Sequence, residues 1–179
     1  MMKGRVSMLK NQFPIGKFQK PDSYSKEDLN TWIEAIETLP DKLTTLTSNA
    51  SESERHATYR EGGWDVETLI HHIADSHMHG FIRTKLVLTE DHPHVSTFSQ
   101  DDWVNTLDNK APLEYSLELI DGMHKRWAIL LRELPEEAFE RTFSHPEEGE
   151  GRLADIVAKM AWHGNHHLEH IKLALKAHR

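Results

Sequence analysis

Four long stretches of the chain repeat apolar residues at the three- and four-residue spacing of an amphipathic helix, and this pattern narrows the possible folds most. The first runs from Ser25 to about residue 48 through Leu29, Trp32, Ile33, Ile36, Leu39, Leu43 and Leu46. Ser25 followed three residues later by Asp28 predicts a cap at its start, and Pro40 predicts a kink or a division into two helices. After a polar loop containing "REGGW" (60–64), Asp65 caps a second helix that carries Val66, Leu69, Ile70, Ile73, Met78, Phe81, Ile82 and Leu86 to about Thr89. The third covers Leu113 to Leu134, with Leu117, Ile120, Trp127, Leu130 and Leu131, and the fourth runs from about Arg152 to Lys176. Between them lie a long connection at 90–112, with one short helix expected around Asp101–Leu107, and an irregular segment at 135–151. Residues 1–24, broken by Pro14, Gly16 and Pro21, read as an extended N-terminal arm. Four long helices with two long connections predict one all-α domain over residues 1–179, a four-helix bundle with at least one crossover.

Composition narrows the function classes. The chain is long enough to bury a core, and 37% hydrophobic with 28% charged residues suits a globular protein. A net charge of −8 without a basic stripe argues against nucleic-acid binding. No apolar run approaches the roughly 18 residues of a membrane span. The basic start "MMKGRVSMLK" has no apolar stretch behind it, so no signal peptide is expected and a cytoplasmic protein is. There is no cysteine, which excludes disulfides, thiolate ligands and a cysteine nucleophile. There are 14 histidines.

Four of these lie in "AWHGNHHLEH" (161–170) on the fourth helix. At about 100° per residue, Leu153, Ile156, Val157, Met160, Leu168, Ile171 and Leu175 share one arc, opposite Asp155, Asn165, Glu169, Lys172 and Lys176. His167 falls inside the apolar arc and His163 at its margin, whereas His166 and His170 point further toward solvent. The i, i+4 pair His163 and His167 can therefore share an ion inside the bundle, or else belong to a His-rich helix end that caps carbonyls or is solvated. "HGNHH" lacks the Glu of H-E-x-x-H, and Glu-x-x-His is not repeated on two helices, so a zincin or a di-iron carboxylate site is disfavoured. A third ligand would come from "HHIADSHMH" (71–79), where periodicity does not choose among His71, His72, His77 and His79. His77, central on the apolar arc, reads first as a core histidine satisfied by a neighbour and only second as a ligand.

The segments "FPIGKF", "YREGGW", "HHIADSHMHGFIRTKLVLTE", "ERTFSHPE" and "AWHGNHHLEHI", in this order from about residue 13 to the C-terminus, resemble the YfiT-type family of the DinB-like superfamily. That resemblance implies an up-down-down-up four-helix bundle, one divalent ion, zinc or nickel, and a homodimer. It also implies three ligands: His72, eight residues after Trp64, with His163 and His167. Where such proteins often carry Gln three residues after the last ligand, this chain has His170, expected beside the site and not among its ligands. His166 is expected to be a bystander.

The chemistry implied is that of metal-dependent hydrolases, or of thiol S-transferases that join bacillithiol or a similar small thiol to an electrophile. Three neutral imidazoles leave an open position and a net charge near +2, suited to an anionic nucleophile. An ion there can lower the pKa of bound water to give hydroxide for hydrolysis, or deprotonate an external thiol. A chain without cysteine must import any sulfur it uses. Asp75, Ser76, Glu169 and His170 are candidates for orienting the ligating rings, and Arg60 and Arg83 for meeting a carboxylate of the thiol, or else ordinary surface charges. A non-catalytic metal-bound stress or binding module is the alternative from another class.

Overall fold

Ser25 opens the first long helix of the computed structural model, which describes residues 11–178. The first ten positions of the expected N-terminal arm lie outside the described residues. The rest of the arm is not wholly extended: Asn11 and Gln12 are helical, and the chain turns at Gly16, where φ is +81°. Helix α1 (Lys26–Thr47) begins with a reciprocal cap, the Ser25 hydroxyl accepting from Asp28 N–H while the Asp28 carboxylate accepts from Ser25 N–H. Pro40 sits inside α1 without dividing it. It deprives the Ile36 carbonyl of its helical donor, and the His124 ring supplies a replacement at 2.6 Å.

Where only a polar loop was expected, Ser51 and Glu54 form a second reciprocal cap and fix a single turn, α2 (Glu52–Arg55). Helix α3 (Val66–Thr89) starts at Asp65, whose carboxylate accepts from Thr68 N–H. The long connection contains α4 (Gln100–Trp103) and a 3-10 turn at Leu107–Lys110, after which α5 (Leu113–Arg132) begins. The segment expected to be irregular at 135–151 instead holds a 3-10 turn (Glu136–Glu140) and an antiparallel hairpin, β1 (Thr142–His145) with β2 (Gly149–Arg152). Gly149, at φ +73°, permits the turn, and Gly151 lets the Phe143 ring lie flat across β2, where a Cβ would come within 2.6 Å of it. Helix α6 (Leu153–His178) ends the fold. Asp155, on the polar arc, is nevertheless buried; its carboxylate accepts from the Arg152 backbone N–H and guanidinium.

Helix α1 packs against α5 and α6, and α3 packs against the same two, so α1 and α3 occupy diagonal corners. The α1–α3 and α5–α6 connections therefore cross the bundle, while the longest, 90–112, joins neighbours and is free to cover a face. Two apolar clusters fill the interior, one around Ile36, Trp127 and Val157, the other around Leu39, Leu69, Ile120 and Ile171. Each such side chain contributes roughly 1.5–3 kcal/mol on burial. Two glycines set how closely the helices approach. A Cβ on Gly80 would lie 2.7 Å from the Trp127 ring, and one on Gly164 would lie 2.7 Å from Leu39 and 3.4 Å from His77.

Candidate metal centre

Because α3 and α6 are neighbours, the histidines of "HHIADSHMH" and "HGNHH" meet in the interior. His163 and His167 lie one turn apart on α6, and His72 faces them from α3, with ring centroids 5.1 Å from His163 and 4.9 Å from His167. One ring nitrogen from each of the three lies within 4.8 Å of the others. The Nε2 atoms of His72 and His163 are 3.1 Å apart. Two nitrogens on one tetrahedral zinc, at bonds of 2.0–2.1 Å, would be about 3.3 Å apart. The spacing and the donor types fit a divalent ion. Trp64 packs on the His72 ring at 4.7 Å, so the residue eight positions upstream becomes one wall of the site.

Burial governs the electrostatics. It pushes the His72 imidazole down to about 4, with a smaller push from His166, and drives His163 and His167 well below the ordinary histidine range. All three rings are therefore neutral near pH 7, the state in which imidazole is a ligand. His72 and His167 are buried, whereas His163 is partly open. Two clefts meet at His163. One, of about 400 Å³, is lined by Tyr59, Arg60, Trp64, Trp162 and His167; the other, of about 360 Å³, by Ser76, Arg83, His145 and Lys159. Gln100 and Asp101 line both, which gives the long connection its place. It is pinned there by Phe98 and Trp103 against the His79 ring, at 4.3 and 5.0 Å, and by the Val95 N–H donating to the Ser144 carbonyl.

The other expected residues separate into two groups. Ser76 reaches His72 Nε2 at 3.4 Å, and His170 reaches His167, Nδ1 to Nδ1, at 3.3 Å. Arg60 and Arg83 line the two clefts, so neither is a plain surface charge. Glu169 is instead paired with Lys172 at 2.6 Å, and Asp75 is governed by burial and by the charge of Asp108, which push its carboxyl up to about 6. His71 turns to the Ser116 hydroxyl at 2.7 Å. The expectation that His166 and His170 face solvent is overturned: they are 6% and 2% exposed. His166 is sandwiched between Trp162 and Phe13, and His170 stacks on Tyr59 at 3.8 Å while meeting the Gln12 carbonyl. The arm and the 59–64 loop cover a helix face that the wheel assigns to water.

His77 is the satisfied core histidine its position suggests, with Nδ1 3.0 Å from His124 Nε2 and Nε2 3.1 Å from His163 Nδ1. His124 escaped the sequence reading altogether. The apolar arc Ile120, His124, Trp127, Leu131 on α5 is the signal that could have placed it.

Comparison with known proteins gives consistent matches. The family profile described as DinB superfamily matches residues 35–171. A protein of Halalkalibacterium halodurans named "Putative metal-dependent hydrolase" is 44% identical over 92% of this chain and 96% of its own length. One of the same description from Bacillus cereus strain B4264 is 42% identical over 89% of this chain and 92% of its own. Among solved structures, YfiT from Bacillus subtilis, titled a probable metal-dependent hydrolase with an unusual four-helix bundle topology, superposes with a TM-score of 0.89. It shares 36% identity, and the match covers 94% of this chain and 98% of that one.

Proposed function

The chain belongs to the DinB superfamily, and from that premise we propose that His72, His163 and His167 hold one divalent ion, zinc or nickel, in a thiol S-transferase. The ion's partner is a low-molecular-weight thiol of the bacillithiol kind, and the acceptor is a small electrophile. When bound, a divalent ion at three neutral imidazoles favours the thiolate form of a coordinated thiol at neutral pH.

One observation carries this reading. In a chain of net charge −8, two guanidiniums flank His163, one on each cleft, and the Nε of both Arg60 and Arg83 is buried without a hydrogen-bond partner. Arg60 also donates to the Glu61 carbonyl, and Glu147 and Glu148 lie near Arg83, but a buried Nε–H without an acceptor is costly, so both arginines suit an anionic ligand that arrives in the cleft. A small thiol carrying carboxylates meets both demands, sulfur toward His163 and carboxylates toward the arginines. Arg60 is held over the Tyr59 ring at 5.3 Å and Arg83 donates to the Ser96 carbonyl, so both are oriented before the ligand enters. Trp64 and Trp162 supply apolar walls beside His163. The chain itself brings no sulfur nucleophile, since it has no cysteine.

The second reading, a metal-dependent hydrolase, is favoured by the names of the relatives and by the partly open edge of the cluster at His163. One assay separates them: consumption of monochlorobimane by the zinc- or nickel-loaded protein, with and without a panel of small thiols that includes carboxylate-bearing members. Thiol-dependent turnover is the expected result. If no thiol accelerates loss of the electrophile while ester or amide substrates are cleaved, the hydrolytic reading replaces it.

A further inference from the structure

The three clustered histidines are backed by three more, and the hydrogen bonds between them have a direction. It is set at two backbone carbonyls, which can only accept. The Ile36 carbonyl faces His124 Nδ1 at 2.6 Å, so His124 carries its proton on Nδ1. Burial keeps His124 neutral, with its pKa down to about 4, which leaves Nε2 as an acceptor. His77 Nδ1, 3.0 Å away, must then be the donor to it, and His77 Nε2 the acceptor. His163 Nδ1, 3.1 Å from that Nε2, donates in turn, and the lone pair of His163 is left on Nε2, the atom that faces His72.

A second chain runs the same way. The Gln12 carbonyl accepts from His170 Nε2–H at 3.3 Å, His170 Nδ1 accepts from His167 Nδ1–H at 3.3 Å, and the His167 lone pair falls on Nε2. We propose that these two carbonyl-anchored histidine relays preset His163 and His167 in the tautomer that offers Nε2 to the ion, making His77, His124 and His170 positioning residues of the centre. The origin of the first relay is Pro40. By lacking an N–H it leaves the Ile36 carbonyl free of its helical donor and open to His124. A proline in mid-helix and a histidine buried among apolar residues thus have a common explanation.

The inference rests on the metal reading above for its purpose, but the tautomers are properties of the metal-free protein and can be measured there. Long-range 15N–1H correlation spectra of the histidine rings at pH 7.5, assigned by single substitutions, should show His124, His77, His163 and His167 protonated on Nδ1 and His170 on Nε2. A proton on Nε2 of His163 or His167 overturns the relay concerned. Absence of zinc binding by the wild-type chain, with those tautomers in place, overturns the metal reading and not the arrangement.

Affinity is the second readout. His77→Phe keeps a ring of similar size and removes both nitrogens; zinc affinity should fall about 10- to 100-fold, as when other groups that orient a ligating histidine are removed. Should that variant fail to fold, the His170 pair decides. His170→Gln retains one donor and one acceptor and should bind zinc within about threefold of wild type, whereas His170→Leu should lose about tenfold or more. Equal affinity of the Leu and Gln variants overturns the second relay. So does a second equivalent of zinc bound by His166, His167 and His170, since those rings also cluster within 4.8 Å and an ion there would need the Nδ1 proton of His167 removed.

Discussion

His72 and His163 stand 91 positions apart in the chain, yet their Nε2 atoms meet at 3.1 Å, with His167 completing the cluster. One nitrogen of that pair must carry a proton for the contact to be a hydrogen bond, and an ion between them replaces it. Removing any one ring should therefore remove metal binding. His72→Ala, His163→Ala and His167→Ala are each expected to lower zinc affinity by more than about 100-fold, beyond what a supporting residue costs. His166→Ala should change it by less than about threefold, because its ring is held by Trp162 and Phe13 and belongs to the neighbouring group with His167 and His170, not to the group of His72, His163 and His167. Metal content after dialysis and competition with a chromogenic chelator measure both. Equal loss in His166→Ala would refute the assignment.

The arginines predict a split in kinetic constants. If they receive carboxylates of the thiol, Arg60→Gln and Arg83→Gln should raise KM for a carboxylate-bearing thiol by about tenfold each, the worth of one hydrogen bond to a charged group. Neither should change KM for a neutral thiol such as 2-mercaptoethanol by more than about twofold. A uniform loss with both thiols would mean that the arginines support the fold of the clefts rather than the ligand.

Acid should destabilise the metal-free protein, and the sign follows from burial. His124 has its pKa pushed down to about 4 in the folded chain against an ordinary 6.5, so the unfolded chain binds the proton more readily. Its contribution is fully present above pH 6.5 and is lost as pH falls toward 4, on the order of 3 kcal/mol for this ring. His72 and His166 are lowered to about 4 as well and act in the same direction. Asp75, raised to about 6, acts in the opposite direction over the same range, since its ionised form is the one penalised. It is only partly buried, so solvent reduces its share, and three histidines outweigh one carboxyl. Urea unfolding at pH 7.5, 6 and 5 should show a steep fall in stability. A flat profile would contradict neutral buried rings.

Two glycine-to-alanine changes should differ although both create a contact of 2.7 Å. At Gly80 the new methyl meets Trp127, fully buried, and Met160, so Gly80→Ala should cost about 2 kcal/mol. At Gly164 it meets a terminal methyl of Leu39, equally buried but the end of a flexible side chain rather than a rigid ring, and the gain in helix propensity of about 1 kcal/mol offsets part of the clash. Thermal unfolding of the two variants tests the order. Reversal of that order would mean that the α3–α5 contact yields more readily than the α1–α6 contact.

Much of the fold was legible because it is local. The caps at Ser25 and Asp65, the four apolar arcs and the i, i+4 placement of His163 and His167 depend on residues within a turn or two of one another. The hairpin at 142–152 was not legible, since its stability comes from a glycine turn, a single ring packed across it and bonds to residues 93–95. The same distinction separates the histidines. A helical wheel reports which side of a helix faces the bundle, so it found the α6 pair, but it could not show that Gln12, Phe13 and Tyr59 close over the opposite side.

By itself, then, the sequence determined four amphipathic helices, a cysteine-free composition and one histidine pair, because helical periodicity and side-chain chemistry are carried in each short segment. A resemblance of motifs was needed to name His72. Only the tertiary structure decided that His72 completes the cluster, that His77 and His124 stand behind His163, and that a carbonyl left open by Pro40 orients them. The reason is physical: a hydrogen bond between residues 88 or 158 positions apart leaves no periodic trace in the chain and exists only once the helices have packed.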